Sequence, residues 1–388
     1  MNFDFDTPVN RRGTNSLKWD VAENELPLWV ADMDFPTAPA IRSALEKRVS
    51  HGVFGYSIVP DEWYEAYKGW WSSRHHFEME SDWLIFCTGV VPAISSTVRK
   101  LTTPAEKVVI LTPVYNIFFN SILNNGRQVL ECPLAYENGK YSIDFKSFES
   151  QLSDPQTTLL IFCNPHNPVG KIWDKETLEK VGELCWKHHV TVLSDEIHCD
   201  LTDPDCEYIP FASVSEHCRE NSITCIAPTK AFNMAGLQTA AVCVPNPFLR
   251  HKVWRALNTD EVAEPNAFAV EAAVAAFTEG GPWLDELRVY LKENKDTVSS
   301  FVSKELPEIR LIVSNATYLL WLDCSALSGT GEEIANFIRA ETGLYLSEGG
   351  QYGRGGEHFL RLNTACPRET LVDALHRLKD GIEAYKKK

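Results

Sequence analysis

At 388 residues the chain can bury a sizeable core without disulfide or metal staples, and its 44% hydrophobic and 23% charged residues exclude a disordered or fibrous protein. A net charge of −16 produces a field that repels nucleic acid and anionic lipid, so neither is an expected partner. The opening MNFDFDTPVNRR lacks the basic-then-apolar pattern of a secretory signal, and no run approaches ~20 uninterrupted apolar residues, so a cytoplasmic protein with no membrane association is expected.

Residues 1–45 are expected to join or bridge to a smaller C-terminal domain, with a large domain over 46–280 and the small α+β domain over 281–388. Gly89 opens a helical pattern that continues to Leu101. From about Lys107 to Val244, the apolar runs KVVILT, TTLLIFC, VTVLS, SITCIA and TAAVCV alternate with helical patterns. Strands apolar on both faces that alternate with helices predict a mostly parallel sheet covered on both sides, an α/β fold. One intervening helix is well marked: Asp174 as N-cap, Glu176 in the first turn, Leu178, Val181, Leu184 and Cys185 at helical spacing, and Lys187, His188 and His189 at its close. Beyond Pro265, helical patterns run to Ala276 and from Pro282 to about Leu306. IRLIV, YLLWLD and FLRLN then read as strands, with helices near Glu332–Glu341 and Arg368–Tyr385.

The eleven cysteines are scattered singly, without a C-x-x-C pair, and read as reduced thiols buried as small hydrophobes. His198, Cys199 and Cys206 come nearest to a metal cluster, but their spacing matches no zinc module, so no metal is expected.

In an open parallel sheet, ligands bind beyond the C-terminal ends of the strands. TTLLIFC is followed by Asn164, Pro165, His166, Asn167 and Pro168, VTVLS by Asp195, Glu196, Ile197 and His198, and SITCIA by Pro228, Thr229 and Lys230. A lone aspartate or lysine after a strand is usually structural. An amide, a carboxylate and a lysine delivered in order to one rim are what a pyridoxal-5′-phosphate (PLP) site needs. The amine bonds the aldehyde, the carboxylate keeps the pyridine nitrogen protonated, and the amide hydrogen-bonds the ring oxygen.

On these residues the chain resembles the fold-type I PLP enzymes of the aspartate aminotransferase class. Within that class it is most similar to the MalY/PatB-type cystathionine β-lyases and C-S lyases, through LPLWVADMDFP (Leu26 to Pro36), GVVPA (Gly89 to Ala93), CNPHNPVG (Cys163 to Gly170), SDEIHCDL (Ser194 to Leu201), KAFN (Lys230 to Asn233) and RLN (Arg361 to Asn363). The resemblance implies Lys230 as the cofactor-linked catalytic lysine, Asp195 as the pyridinium partner and Asn167 as the O3′ donor, with His198 close by. It implies Tyr115 stacked on the ring, Arg361 on the substrate carboxylate, and Tyr56 reaching the phosphate of the neighbouring subunit of a homodimer. Asn167, Tyr56 and Tyr115 would also border the substrate. The Val90 and Val91 amides at a helix N-terminus suit the phosphate dianion, with Thr229 beside them. Two positions depart from the wider pattern. Ala227 stands where many relatives have serine and Gln238 where many aminotransferases have arginine, which places more of the phosphate binding on Val90, Val91, Thr229 and Tyr56.

The activity implied is β-elimination from a sulfur amino acid such as cystathionine or cysteine, giving pyruvate, ammonia and a thiol (homocysteine or hydrogen sulfide). A class I/II aminotransferase needs the same lysine, aspartate and arginine and stands as the alternative. A regulatory or binding protein that keeps the fold is a third reading, and the intact Lys230, Asp195, Asn167 and Arg361 weigh against it as the sole role.

Overall fold

Runs that are apolar on both faces can settle only between two covering layers, and such runs form the middle of this molecule. The structure, a computed structural model, describes residues 3–388, so that Met1 and Asn2 of the expected 1–45 segment lie outside the described residues. Seven strands form one sheet in the spatial order Leu84–Cys87, Ala240–Cys243, Ser222–Ile226, Thr191–Asp195, Thr157–Cys163, Lys107–Thr112 and Gln128–Pro133. The last five run parallel.

Side-chain alternation explains the double burial. Val108, Ile110, Leu159 and Ile161 pack on one face with Ala93, Ile94 and Val98 of the helix Val90–Leu101. Val109, Leu111, Leu160 and Phe162 pack on the other with Leu178 and Val181 of the helix Lys175–Lys187. Asp174 caps that second helix, accepting from the Thr177 N–H at 2.8 Å.

Two strands differ from the sequence expectation. Ala240–Cys243, the core of TAAVCV, is antiparallel to both neighbours. A parallel return needs a covering crossover, usually a helix, whereas residues 227–239 carry only the 3-10 turn Ala235–Leu237. Gln128–Pro133 is a half-exposed edge strand, and its mixed polarity hides it from an apolar-run reading.

The C-terminal part holds a four-stranded antiparallel sheet of Arg310–Leu311, Leu319–Asp323, Phe359–Asn363 and Ser347–Glu348. The helices Gly331–Thr342 and Arg368–Tyr385 share a core with it. The helix Gly281–Glu305 links the two bodies, with Trp283, Leu284 and Leu287 in the core under the large sheet and Val298 and Val302 in the small one. Leu26–Pro27 pairs with Leu344–Tyr345 of the C-terminal part. The helix Pro39–His51 then packs on Ala269–Glu279 of the large body. Residues 28–38, between these elements, lead the chain past the rim of the large sheet.

Candidate active site

Parallel strands bring their C-terminal ends to one rim, so Cys87, Thr112, Cys163, Asp195 and Ile226 end side by side. The segments that follow them enclose a cavity of about 280 Å³. Eight of the ten residues singled out from the sequence line it: Val90, Val91, Tyr115, Asn167, Asp195, His198, Thr229 and Lys230. Arg361, on the strand Phe359–Asn363 of the four-stranded sheet, reaches the same place, its Nη1 donating a long 3.4 Å hydrogen bond to Asn167 Oδ1. Tyr56 does not reach it. Its side chain is fully exposed, at 103% of the reference area, in a loop with exposed Val53, Phe54 and Ile58.

The electrostatics of the cavity fit PLP. Asp195 is buried, and burial pushes its carboxyl up to about 7 against the opposing Ile197 N–H and the Lys230 charge. Such a carboxyl would be matched by a close cation, which a protonated pyridine nitrogen would supply. Burial pushes the Lys230 amine down to about 8, with Asp32 opposing, and its Nζ donates to Ala31 O at 2.6 Å. Burial, with the charges of Lys230 and Arg361, drives His198 down to about 3, so the imidazole is neutral, and its buried Nδ1 has no hydrogen-bond partner among the described residues. Tyr115 is raised to about 12, chiefly by burial. At the far end, Gly89 leads into the helix Val90–Leu101, whose first-turn N–H groups have no intrahelical acceptor and suit an anion. Ala227 is buried and Gln238 lines the cavity, so neither adds a cation at that end.

Arg361 retains binding capacity. Nη2 donates to Trp29 O at 2.8 Å, the guanidinium lies 5.0 Å from the centre of the Tyr352 ring, and the buried Nε–H is unpaired among the described residues. An arginine with one orphan N–H and one long bond is ready for a planar carboxylate.

The sequence reading assigned no role to the backbone of Trp29–Phe35, which runs as a strap along this cavity. Asn363 Nδ2 donates to Val30 O at 2.7 Å and Asp32 O at 2.6 Å, and Tyr318 Oη donates to Ala31 O at 3.0 Å. Asn233 Nδ2 holds Met33 O and Phe35 O, while its Oδ1 accepts from the Met33 N–H. Behind the strap, Asp32 pairs with Arg11 at 2.6 Å and Asp34 with the fully buried Lys18 at 2.7 Å. The available signals were Asn363, an amide closing the strand Phe359–Asn363, and Asn233 just after Lys230.

The family model described as aminotransferase class I and II matches residues 23–378. Cystathionine beta-lyase PatB of Bacillus subtilis (strain 168) is 43% identical over 384 residues, which cover 97% of this chain and 99% of that protein. Protein MalY of Escherichia coli (strain K12) is 33% identical over 392 residues, 99% of this chain and 100% of its own. Among solved structures, cystalysin of Treponema denticola, described as containing a pyridoxal 5′-phosphate cofactor, matches with a TM-score of 0.96 at 34% identity, covering 99% of this chain and 100% of that one.

Proposed function

We propose that this chain, which belongs to the aminotransferase class I and II family, is a PLP-dependent carbon–sulfur β-lyase that splits cystathionine- or cysteine-type substrates into pyruvate, ammonia and a thiol. The observation that carries the PLP chemistry is the meeting of Lys230, Asp195 and Asn167 in one cavity, with Arg361 bonded to Asn167 at its edge. The sulfur leaving group rests on the likeness to the beta-lyase PatB over nearly the whole chain.

When bound, PLP supplies an electron sink for the charge that develops at the substrate α-carbon. Asp195 would hold the pyridine nitrogen protonated, Asn167 would donate to the ring oxygen, and Tyr115 would cover the ring face. The Val90 and Val91 N–H groups and the Thr229 hydroxyl would hold the phosphate. Arg361 would grip the substrate carboxylate with its unpaired Nε–H and the Nη1 now on Asn167, orienting the α-proton toward Lys230. Lys230 would take that proton as general base, and an amine near 8 is well matched to that task at neutral pH.

The working unit proposed is a cytoplasmic homodimer with shared sites. All eleven cysteines are free, which suits a reducing compartment. The exposed Val53, Phe54, Tyr56 and Ile58 form the kind of apolar loop that a second copy would cover, bringing Tyr56 to its phosphate. Among the described residues, no helix is long and apolar enough to cross a membrane.

The test is to incubate the purified protein with cystathionine, cysteine and aromatic amino acids, with and without a keto acid. Pyruvate and thiol without an added acceptor support the lyase. Amino transfer that depends on the acceptor overturns it.

A further inference from the structure

The segment that follows Thr191–Asp195 carries chemistry on two sides. Asp195 and His198 line the cavity described above, whereas Cys199 and Asp200 border a second cavity of about 220 Å³ and meet His75, the last residue of the helix Asp61–His75. The sequence spacing associates Cys199 with His198 and Cys206. The fold associates it with His75 and Asp200 instead, the three donor atoms lying within 4.8 Å of one another.

The cluster is incomplete as it stands. Asp200 Oδ1 accepts from Trp70 Nε1 at 2.8 Å and lies 2.9 Å from His75 Nε2, but the buried Oδ2 has no hydrogen-bond partner among the described residues. The Asp200 side chain is only 2% exposed and that of His75 8%, so water does little to solvate the orphan oxygen, which is a costly arrangement for a carboxylate. Of the two arginines on the same cavity, Arg74 is held by Asp285 and Arg288 donates to Thr202 and Asp203 O, so that Asp200 receives only a longer-range charge from Arg74 beside its His75 contact.

We propose that His75, Cys199 and Asp200 form a Zn²⁺ site, with the fourth coordination position open to the second cavity. A thiolate and an imidazole select a borderline metal over Mg²⁺ or Ca²⁺, which prefer all-oxygen shells. Three protein ligands plus water is a regular zinc arrangement. The Cys199 S–H releases its proton to the buffer as the S–Zn bond forms, Asp200 Oδ2 gains a partner, and thiolate and carboxylate together neutralise the dication without any redox step. The bound ion would tie the helix Asp61–His75 to the segment that carries Asp195 and His198.

The experiment is calorimetric titration of metal-free holoenzyme with Zn²⁺ in two buffers of different ionisation enthalpy, followed by zinc X-ray absorption on the same wild-type sample. The expected result is one ion per chain with net proton release, one sulfur at about 2.3 Å and nitrogen or oxygen neighbours at about 2.0–2.2 Å. Cys199→Ser and His75→Gln should each weaken binding by more than the roughly 10- to 100-fold that losing an outer partner of a metal ligand costs. Cys206→Ser should leave the stoichiometry and the sulfur signal in place. Absence of stoichiometric binding, a wild-type spectrum without sulfur, or full affinity in Cys199→Ser overturns the site.

Discussion

Desolvation in the cavity lowers the Lys230 amine to about 8, and that shift has a kinetic consequence that can be measured. An unperturbed lysine titrates near ~10.4, so at pH 7 its neutral fraction is roughly 0.04%, against roughly 9% for a group at 8. The gain in reactive amine is therefore about 200-fold. The sign follows from burial, which disfavours the charged form: the neutral amine accumulates as pH rises through about 8 and is lost below it. The assay mixes PLP-free protein with PLP in a stopped-flow instrument from about pH 6 to 10 and follows the yellow absorption. A free lysine derivative run in parallel corrects for the ionisations of PLP itself. The rate for the protein should level off above about pH 8, while that for the free amine keeps rising toward about 10. Asp32 is the largest charge opposing the shift, so Asp32→Asn should move the midpoint to lower pH. A midpoint near 10 in the wild type, or an upward move in Asp32→Asn, would refute the reasoning.

Three further outcomes are expected, two from the cavity and its strap and one from the proposed homodimer. Asp195→Asn should bind PLP yet lose about 100-fold or more in turnover, the scale of removing one preorganised electrostatic partner; near-normal rates in steady-state assays would mean that another group faces the pyridine nitrogen. Tyr56→Phe should loosen PLP by about 1.5 to 3 kcal/mol in equilibrium dialysis, and activity should rise when Tyr56→Phe chains are mixed with Lys230→Ala chains at limiting PLP, because one heterodimer site then escapes both lesions; an active monomer in sedimentation would contradict the shared site. Asn363→Ala removes three hydrogen bonds of a buried side chain, to Val30 O, Asp32 O and the Ala365 N–H, and should cost about 3 kcal/mol in urea unfolding at roughly 1 kcal/mol each; a loss below about 1 kcal/mol would show that the strap does not depend on it.

Much of this architecture was legible in the sequence because its signals are local. Runs such as KVVILT and TTLLIFC are apolar at every position, which only a doubly covered strand tolerates, and the residues just after them fall at the ligand-binding rim by topology. The antiparallel return at Ala240–Cys243 was not legible, because an apolar run has no direction and the Lys230 turn that fixes it contains no helix to count. The strap was hidden for a different reason: Trp29, Val30, Ala31 and Asp32 act through backbone carbonyls, which any sequence offers, and their donors Asn363, Tyr318 and Lys230 lie far away in the chain. The meeting of His75 with Cys199 and Asp200 was equally invisible, since it depends on where the helix Asp61–His75 ends against the sheet.

The hydrogen bonds of the strap also bear on how Lys230 can be both held and released. Its amine now donates to Ala31 O, and engaging an aldehyde or taking a substrate proton requires it to leave that oxygen. A buried carbonyl abandoned by its donor would oppose the departure by about 1–3 kcal/mol. Ala31 O, however, also accepts from Tyr318 Oη at 3.0 Å, so the carbonyl remains satisfied when the lysine moves. Tyr318 directly precedes the strand Leu319–Asp323, the neighbour of the strand that carries Arg361, and the preceding strap carbonyl but one, Trp29 O, is the acceptor of Arg361. The strap thus orients Arg361 through one carbonyl while offering the lysine a parking place that is cheap to vacate. Tyr318→Phe should reverse that balance, leaving Lys230 as the sole donor to Ala31 O and slowing PLP capture without changing the charge of the cavity.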